Sequence, residues 1–236
     1  MSDHIVRAYD EDLTSLKTML AQMGGLAEDQ LAKAIDALGR RDTLLADQVI
    51  AQDDKVDTLE INIEEKAILT IAKRQPMARD LREIMVAIRI SSDLERIGDL
   101  AKNVAKRVHA ISDALPRKLS SGLTRMGRLS LEQLKIVLDA YASMSEAKAL
   151  EVWRGDEDID ALYNSIFREL LTYMMEDPRM IGLCTHLLFG AKNFERIGDH
   201  ATNIAENVYY LVNGKPIREE RPKKDNTSTT TFEAIN

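Results

Sequence analysis

The 236-residue chain carries 39 acidic against 32 basic side chains and a formal net charge of −7, which argues against nucleic acid or an anionic membrane surface as its main partner, because both select basic faces. Aromatic residues at 5 % with 11 Gly and 5 Pro leave few turn formers for a β architecture, so an all-α chain is expected. Cys184 is the only cysteine; an internal disulfide is excluded, a reducing cytoplasm fits, and its apolar surroundings point to a buried, inert thiol.

From Leu13 the apolar positions step by three and four through Leu16, Leu20, Met23, Ala27, Leu31, Ala34 and Leu38, the stripe of a bundle helix over about 6–38. Gly24-Gly25 inside it marks a candidate bend. Asp42 is a candidate N-cap for a second helix that must stop near Gln75, because Pro76 disfavours helix at the residue before it and suits the first turn of the next. The third helix then runs from Pro76 to about Ile111. Pro116 and Ser120-Ser121-Gly122 punctuate the chain and divide it. Helices over about 122–142, 145–176 and 178–213 follow, with Asp177-Pro178 in the place of Gln75-Pro76. Past Gly214 no apolar period remains, and 214–236 reads as a flexible tail. The N-terminus lacks the pattern of a signal peptide, and the longest weakly polar run, Met180 to Ala191, is too short to span a bilayer.

The two halves repeat. Leu94-Glu95-Arg96-Ile97-Gly98-Asp99 returns as Phe194-Glu195-Arg196-Ile197-Gly198-Asp199 at an offset of 100, and Asp53 and Asp57 return as Asp156 and Asp160 at an offset of 103. That period lies far above the roughly 20–50 residues of solenoid repeats. The expected architecture is therefore two tandem, internally duplicated three-helix bundles with long helices, residues 1–115 and 116–213, followed by the tail 214–236.

The repeated acids fall in pairs four apart: Asp53 and Asp57, Glu95 and Asp99, Asp156 and Asp160, Glu195 and Asp199. On a helix, Glu95, Asp99 and Asn103 span only about 80° of the circumference, opposite Ile97, Ala101 and Val104. Glu195, Asp199 and Asn203 repeat that stripe. One reading is a solvated outer face. The other is a cation site, since like charges four apart cost a helix a few tenths of a kcal/mol and the cost recurs at matching places in both halves. All-carboxylate ligands suit Mg²⁺, Mn²⁺, Ca²⁺ or iron and, less naturally, Zn²⁺. The Glu-x-x-His pattern of a ferritin-like di-iron site is absent, as are phosphate-loop, dinucleotide, nucleophile-elbow and Cys/His zinc patterns. A metal-dependent hydrolase or carboxylate-bridged metal enzyme stays as the alternative to a non-enzymatic role. Arg96 and Arg196, beside the acids, are expected to pair with a neighbouring helix. Gly98 and Gly198 are expected to allow close helix packing, and His200 reads as a partly buried packing residue.

The run Arg74-Gln75-Pro76-Met77-Ala78-Arg79-Asp80-Leu81-Arg82, followed by Asp93-Leu94-Glu95-Arg96-Ile97-Gly98-Asp99, resembles the first-half signature of the PhoU family. Met175-Glu176-Asp177-Pro178, His186-Leu187-Leu188-Phe189 and the stretch from Ala191 to Glu206 resemble the second. The resemblance implies a cytoplasmic negative regulator of the phosphate-starvation response and modulator of phosphate uptake, recruited through partners to the inner face of the membrane without inserting in it. It implies an adaptor between the phosphate ABC-transporter ATPase subunit and the phosphate sensor histidine kinase, and a homodimer. It also implies metal ions (iron, Mn, Mg or Zn) at Asp53, Asp57, Glu95, Asp99, Asp156, Asp160, Glu195 and Asp199. Leu100 stands where the second half has His200, so any role of that histidine belongs to one half.

Overall fold

A computed structural model of the chain describes residues 2–111, 117–219 and 221. Among the described residues it comprises helices α1 (Ser2–Arg40), α2 (Thr43–Arg74), α3 (Arg79–Val108), α4 (Arg117–Ser143), α5 (Glu146–Glu176) and α6 (Ile181–Asn213), with a 3-10 turn at Pro178–Met180 and no strand. The proposed division at residues 115 and 116, and the tail at 220 and from 222 onward, lie outside the described residues.

The caps explain where the helices start and stop. Asp42 accepts the Leu45 N–H at 2.9 Å, and Ser145, its equivalent at the same offset of 103, accepts the Lys148 N–H; each satisfies an orphan donor of its helix. Past α2, Gln75 is left-handed (φ 49°) and returns its N–H to Ile71 O. Ala78 also has a positive φ, 52°, with ψ −109°, so the reversal runs to Ala78 and α3 starts three residues later than the Pro76 rule predicts. Ser120-Ser121-Gly122 lie within α4 and not in a linker.

α1, α2 and α3 pack on one another, as do α4, α5 and α6; α3 against α6 and α1 against α4 join the halves. Both joints are antiparallel. Along the first, Arg82 lies over the Tyr210 ring, Asp93 meets His200, and Arg107 lies over the Phe189 ring. Along the second, Glu28 pairs with Lys135, and the glycines fix the spacing. A Cβ on Gly24 would lie 2.7 Å from Leu138 Cδ2, and one on Gly127 would lie 2.8 Å from Ile35 Cγ1. These two contacts exchange under the offset of 103, as a pseudo-two-fold joint requires. Gly24 is thus a close-approach residue inside the continuous helix α1. The apolar faces of all six helices form one continuous core.

Candidate functional site: two acidic clusters

The sequence places the acid pairs on an outer face. The structure corrects this for half of them: Asp53, Asp156, Asp160 and Glu195 are each 3 % exposed or less, while Asp57, Glu95, Asp99 and Asp199 are half-buried. Glu195 lies on α6, which meets α3, α4 and α5, so its stripe still faces another helix; Asp53 on α2 turns toward Gln30 of α1 and Lys102 of α3, and Asp156 on α5 toward Thr202 of α6 and Arg221.

In the first half, α2 and α3 bring Asp53 and Asp99 to one cation. The Lys102 ammonium donates to Asp53 Oδ2 and lies 3.3 Å from Asp99 Oδ1. From α1, Gln30 Nε2 donates to Asp53 Oδ1 at 2.9 Å. The hydrogen bond to Asp53 raises the Lys102 pKa above its ordinary value, against the opposing effect of burial. Burial raises the carboxyls of Asp57 and Glu95, and the neighbouring acids add to it. Arg96 is exposed and lies 3.4 Å from Glu95 and 3.8 Å from Asp99 on its own helix, and its charge also acts on Glu60 of α2.

The second half repeats the cluster with one exchange. Gln133 stands for Gln30, Asp156 for Asp53 and Asp199 for Asp99, but the residue matching Lys102 is Thr202, whose hydroxyl lies 3.4 Å from Asp156 Oδ1. The missing cation comes from beyond α6. Arg221 Nε donates to Asp156 Oδ2 at 3.1 Å and its Nη2 to Asp199 Oδ1 at 2.7 Å. Burial still raises the Asp156 carboxyl, with Arg221 opposing it. Glu195 pairs with Lys192 at 2.8 Å. Arg196 is exposed and has no ion pair among the described residues.

The two glycines let a neighbour come close beside each cluster: a Cβ on Gly98 would meet Gln30 Oε1 at 3.1 Å, and one on Gly198 would meet Ile159 Cδ1 at 2.9 Å, with Gln133 Oε1 at 3.5 Å and Asp156 Oδ1 at 3.6 Å. The side-chain carbonyls of Gln30 and Gln133 have no hydrogen-bond partner among the described residues, so each cluster keeps an acceptor in reserve. Yet no group of three or more His, Cys, Asp or Glu side chains converges as a metal cage among the described residues. In this arrangement the nearest cations to the carboxylates are Lys102 in the first cluster and Arg221 in the second. Each cluster is a cation site whose cation is the protein's own, and a metal would have to displace Lys102 or Arg221.

His200 is more than a packing residue: its Nδ1 lies 2.9 Å from Asp93 Oδ1 across the joint between halves, and Asn203 reaches the same oxygen at 3.4 Å. Cys184 is fully buried, and burial raises its thiol pKa. Sequence reasoning missed Lys102, Gln30, Gln133 and Arg221. The offset of 103 that links Asp53 to Asp156 also links Gln30 to Gln133, so the glutamines were visible in the repeat. Arg221 lies outside any repeat and carried no such signal.

Comparison with known proteins matches the PhoU domain to residues 20–108 and 123–208. The chain is 59 % identical over 227 residues to the phosphate-specific transport system accessory protein PhoU homolog of Rhizobium meliloti (strain 1021), covering 96 % of each protein. It is 39 % identical over 218 residues to phosphate-specific transport system accessory protein PhoU of Escherichia coli (strain K12), covering 92 % of this chain and 90 % of that one. The crystal structure of PhoU from Pseudomonas aeruginosa superposes with a TM-score of 0.83 at 38 % identity, over 88 % of this chain and all of that one.

Proposed function

The chain belongs to the PhoU family, and on that premise we propose that it is an accessory protein of a phosphate-specific transport system, a regulator and not an enzyme. The observation that carries this is the near full-length match to relatives bearing that name. The site chemistry supports the non-enzymatic part. Asp53 and Asp156 are buried against a fixed ammonium and a guanidinium, whereas acid–base catalysis needs carboxyls facing a substrate cleft.

The finer reading is a cytoplasmic adaptor. In it the protein contacts the transporter ATPase subunit and the sensor histidine kinase, as a homodimer, and restrains the starvation response when phosphate is plentiful. No helix among the described residues is long and apolar enough to cross a membrane, which fits recruitment through partners. Rigid six-helix packing with short caps suits a scaffold that presents surfaces, and exposed Met77 and Met175 near the two hairpin ends are apolar enough to serve as contacts. Copurification with the tagged transporter ATPase of the same host tests the adaptor. Recovery of the ATPase at near-equal amounts is expected, and its absence under conditions where the ATPase itself is folded and abundant would remove the transporter arm.

A further inference from the structure

The charge is not spread evenly over this acidic protein. Where the end of α1 meets the start of α4 lies an open cleft of about 670 Å³, lined by Arg40, Arg41, Arg125 and Arg128 with the hydroxyl residues Ser120 and Thr124. Two acids, Asp36 and Glu132, share the lining, so the arginines are in excess there while the chain as a whole is at −7. Arg40 pairs only loosely with Asp36, at 3.6 Å. Arg125 and Arg128 are exposed and form no ion pair or hydrogen bond among the described residues.

The duplication supplies an internal control. The joint between α1 and α4 is pseudo-symmetric, so the same cleft position exists at its other end. There the offset of 103 places Ser143 and Met144 for Arg40 and Arg41, and Gln22 and Gly25 for Arg125 and Arg128. The acids persist at both ends: Asp139 matches Asp36, and Asp29 matches Glu132. Packing therefore does not demand the arginines, since the same joint is built without them. They are an addition to one end.

We propose that this cleft is a binding site for a small soluble anion bearing two or more phosphoryl groups. Guanidinium groups bind phosphoryl oxygens in a bidentate manner, and several of them with neighbouring hydroxyls match a ligand with more than one such group. The volume is that of a ligand site of roughly 300–1,000 Å³, larger than a single phosphate needs. A duplex or single strand of nucleic acid would need a continuous basic stripe, and here one cleft is basic on an acidic body. The inference stands on the cleft and not on the regulatory reading.

The test is calorimetric titration of the full chain with pyrophosphate and, separately, inorganic phosphate, at low salt. One saturable pyrophosphate site per chain is expected, with inorganic phosphate weaker and affinity falling as salt rises. Arg125→Gln combined with Arg128→Gln should weaken it about tenfold or more, a loss of at least about 1.4 kcal/mol, since each change removes a charged hydrogen-bond donor. Both residues are exposed, and Gln22 already occupies the position equivalent to Arg125, so the fold should tolerate the change; Arg125→Gln alone serves if the pair does not. Absence of saturable pyrophosphate binding, or binding unchanged in these variants, overturns the proposal. Co-sedimentation with phosphatidate-containing vesicles that needs both arginines, without pyrophosphate binding, overturns it in favour of a lipid headgroup.

Discussion

Replacing Lys102 by Met leaves the Asp53 carboxylate, 1 % exposed, with the Gln30 amide as a donor at 2.9 Å and no cation. Breaking a fully buried pair by removing one partner costs roughly 3–5 kcal/mol. The Lys102 side chain is 24 % exposed, so water reaches the gap and about 2–3 kcal/mol is the expected loss. For a chain of this size that corresponds to a fall of about 5–10 °C in melting temperature. Urea and thermal unfolding of Lys102→Met, Asp53→Asn and the double variant provide the assay. The double variant should be more stable than Lys102→Met alone, because it leaves no charge buried. The alkaline limb gives a second readout. The Lys102 pKa is raised in the folded state, so its stabilisation is full below the unfolded value near 10.5 and is lost as pH rises through the higher folded value. Lys102→Met should lack that part of the alkaline loss. A single variant within about 0.5 kcal/mol of the parent, the range of an ordinary surface change, would refute the reasoning, as would a double variant as unstable as the sum of its parts.

Arg221→Ala should cost about 2–3 kcal/mol, as Lys102→Met does, because Asp156 is 2 % exposed and Arg221 only 18 % exposed and the Thr202 hydroxyl remains at 3.4 Å; it should also let Mn²⁺ raise the melting temperature more than in the parent, read by differential scanning fluorimetry with metal content checked by elemental analysis. Gly127→Ala should destabilise by about 1–3 kcal/mol through overpacking, since its Cβ would lie 2.9 Å from the Phe194 ring, whereas Gly25→Ala, with nothing within 4 Å, should stabilise by about 0.5–1 kcal/mol; equal signs for the two would contradict the close-approach account of the joint. Burial raises the Asp156 carboxyl, so the native state holds that proton longer and this group's contribution to stability is lost as pH rises from the unfolded value near 3.8 through the folded one. Asp156→Asn should therefore gain on the parent across that window and match it below, in urea midpoints measured against pH.

The helices and the duplication were legible because their signals are local and periodic: the three-and-four stepping from Leu13, the N-cap at Asp42 and the returning acidic motif each need only a few neighbouring residues. The site was legible as a list and not as an environment. Asp53 and Glu195 were placed on an outer face because a wheel drawn for one helix shows its own faces, while burial depends on what the neighbouring helices bring against it. Lys102 was in view one turn beyond Asp99, yet its role depends on α2 lying alongside α3. Arg221 could not be assigned at all, since it reaches Asp156 from across 65 residues of chain. Gly24 shows the same limit: a glycine in a helix is ambiguous until Leu138 is seen against it.

The central claim is regulation of a phosphate transport system, and the most direct measurement is a phosphate-starvation promoter reporter in the native host, grown with ample phosphate, with this gene intact, deleted or restored. The account expects high output on deletion and return to the low level on restoration. Output that stays low after deletion, in a strain whose reporter still responds to phosphate withdrawal, would contradict it.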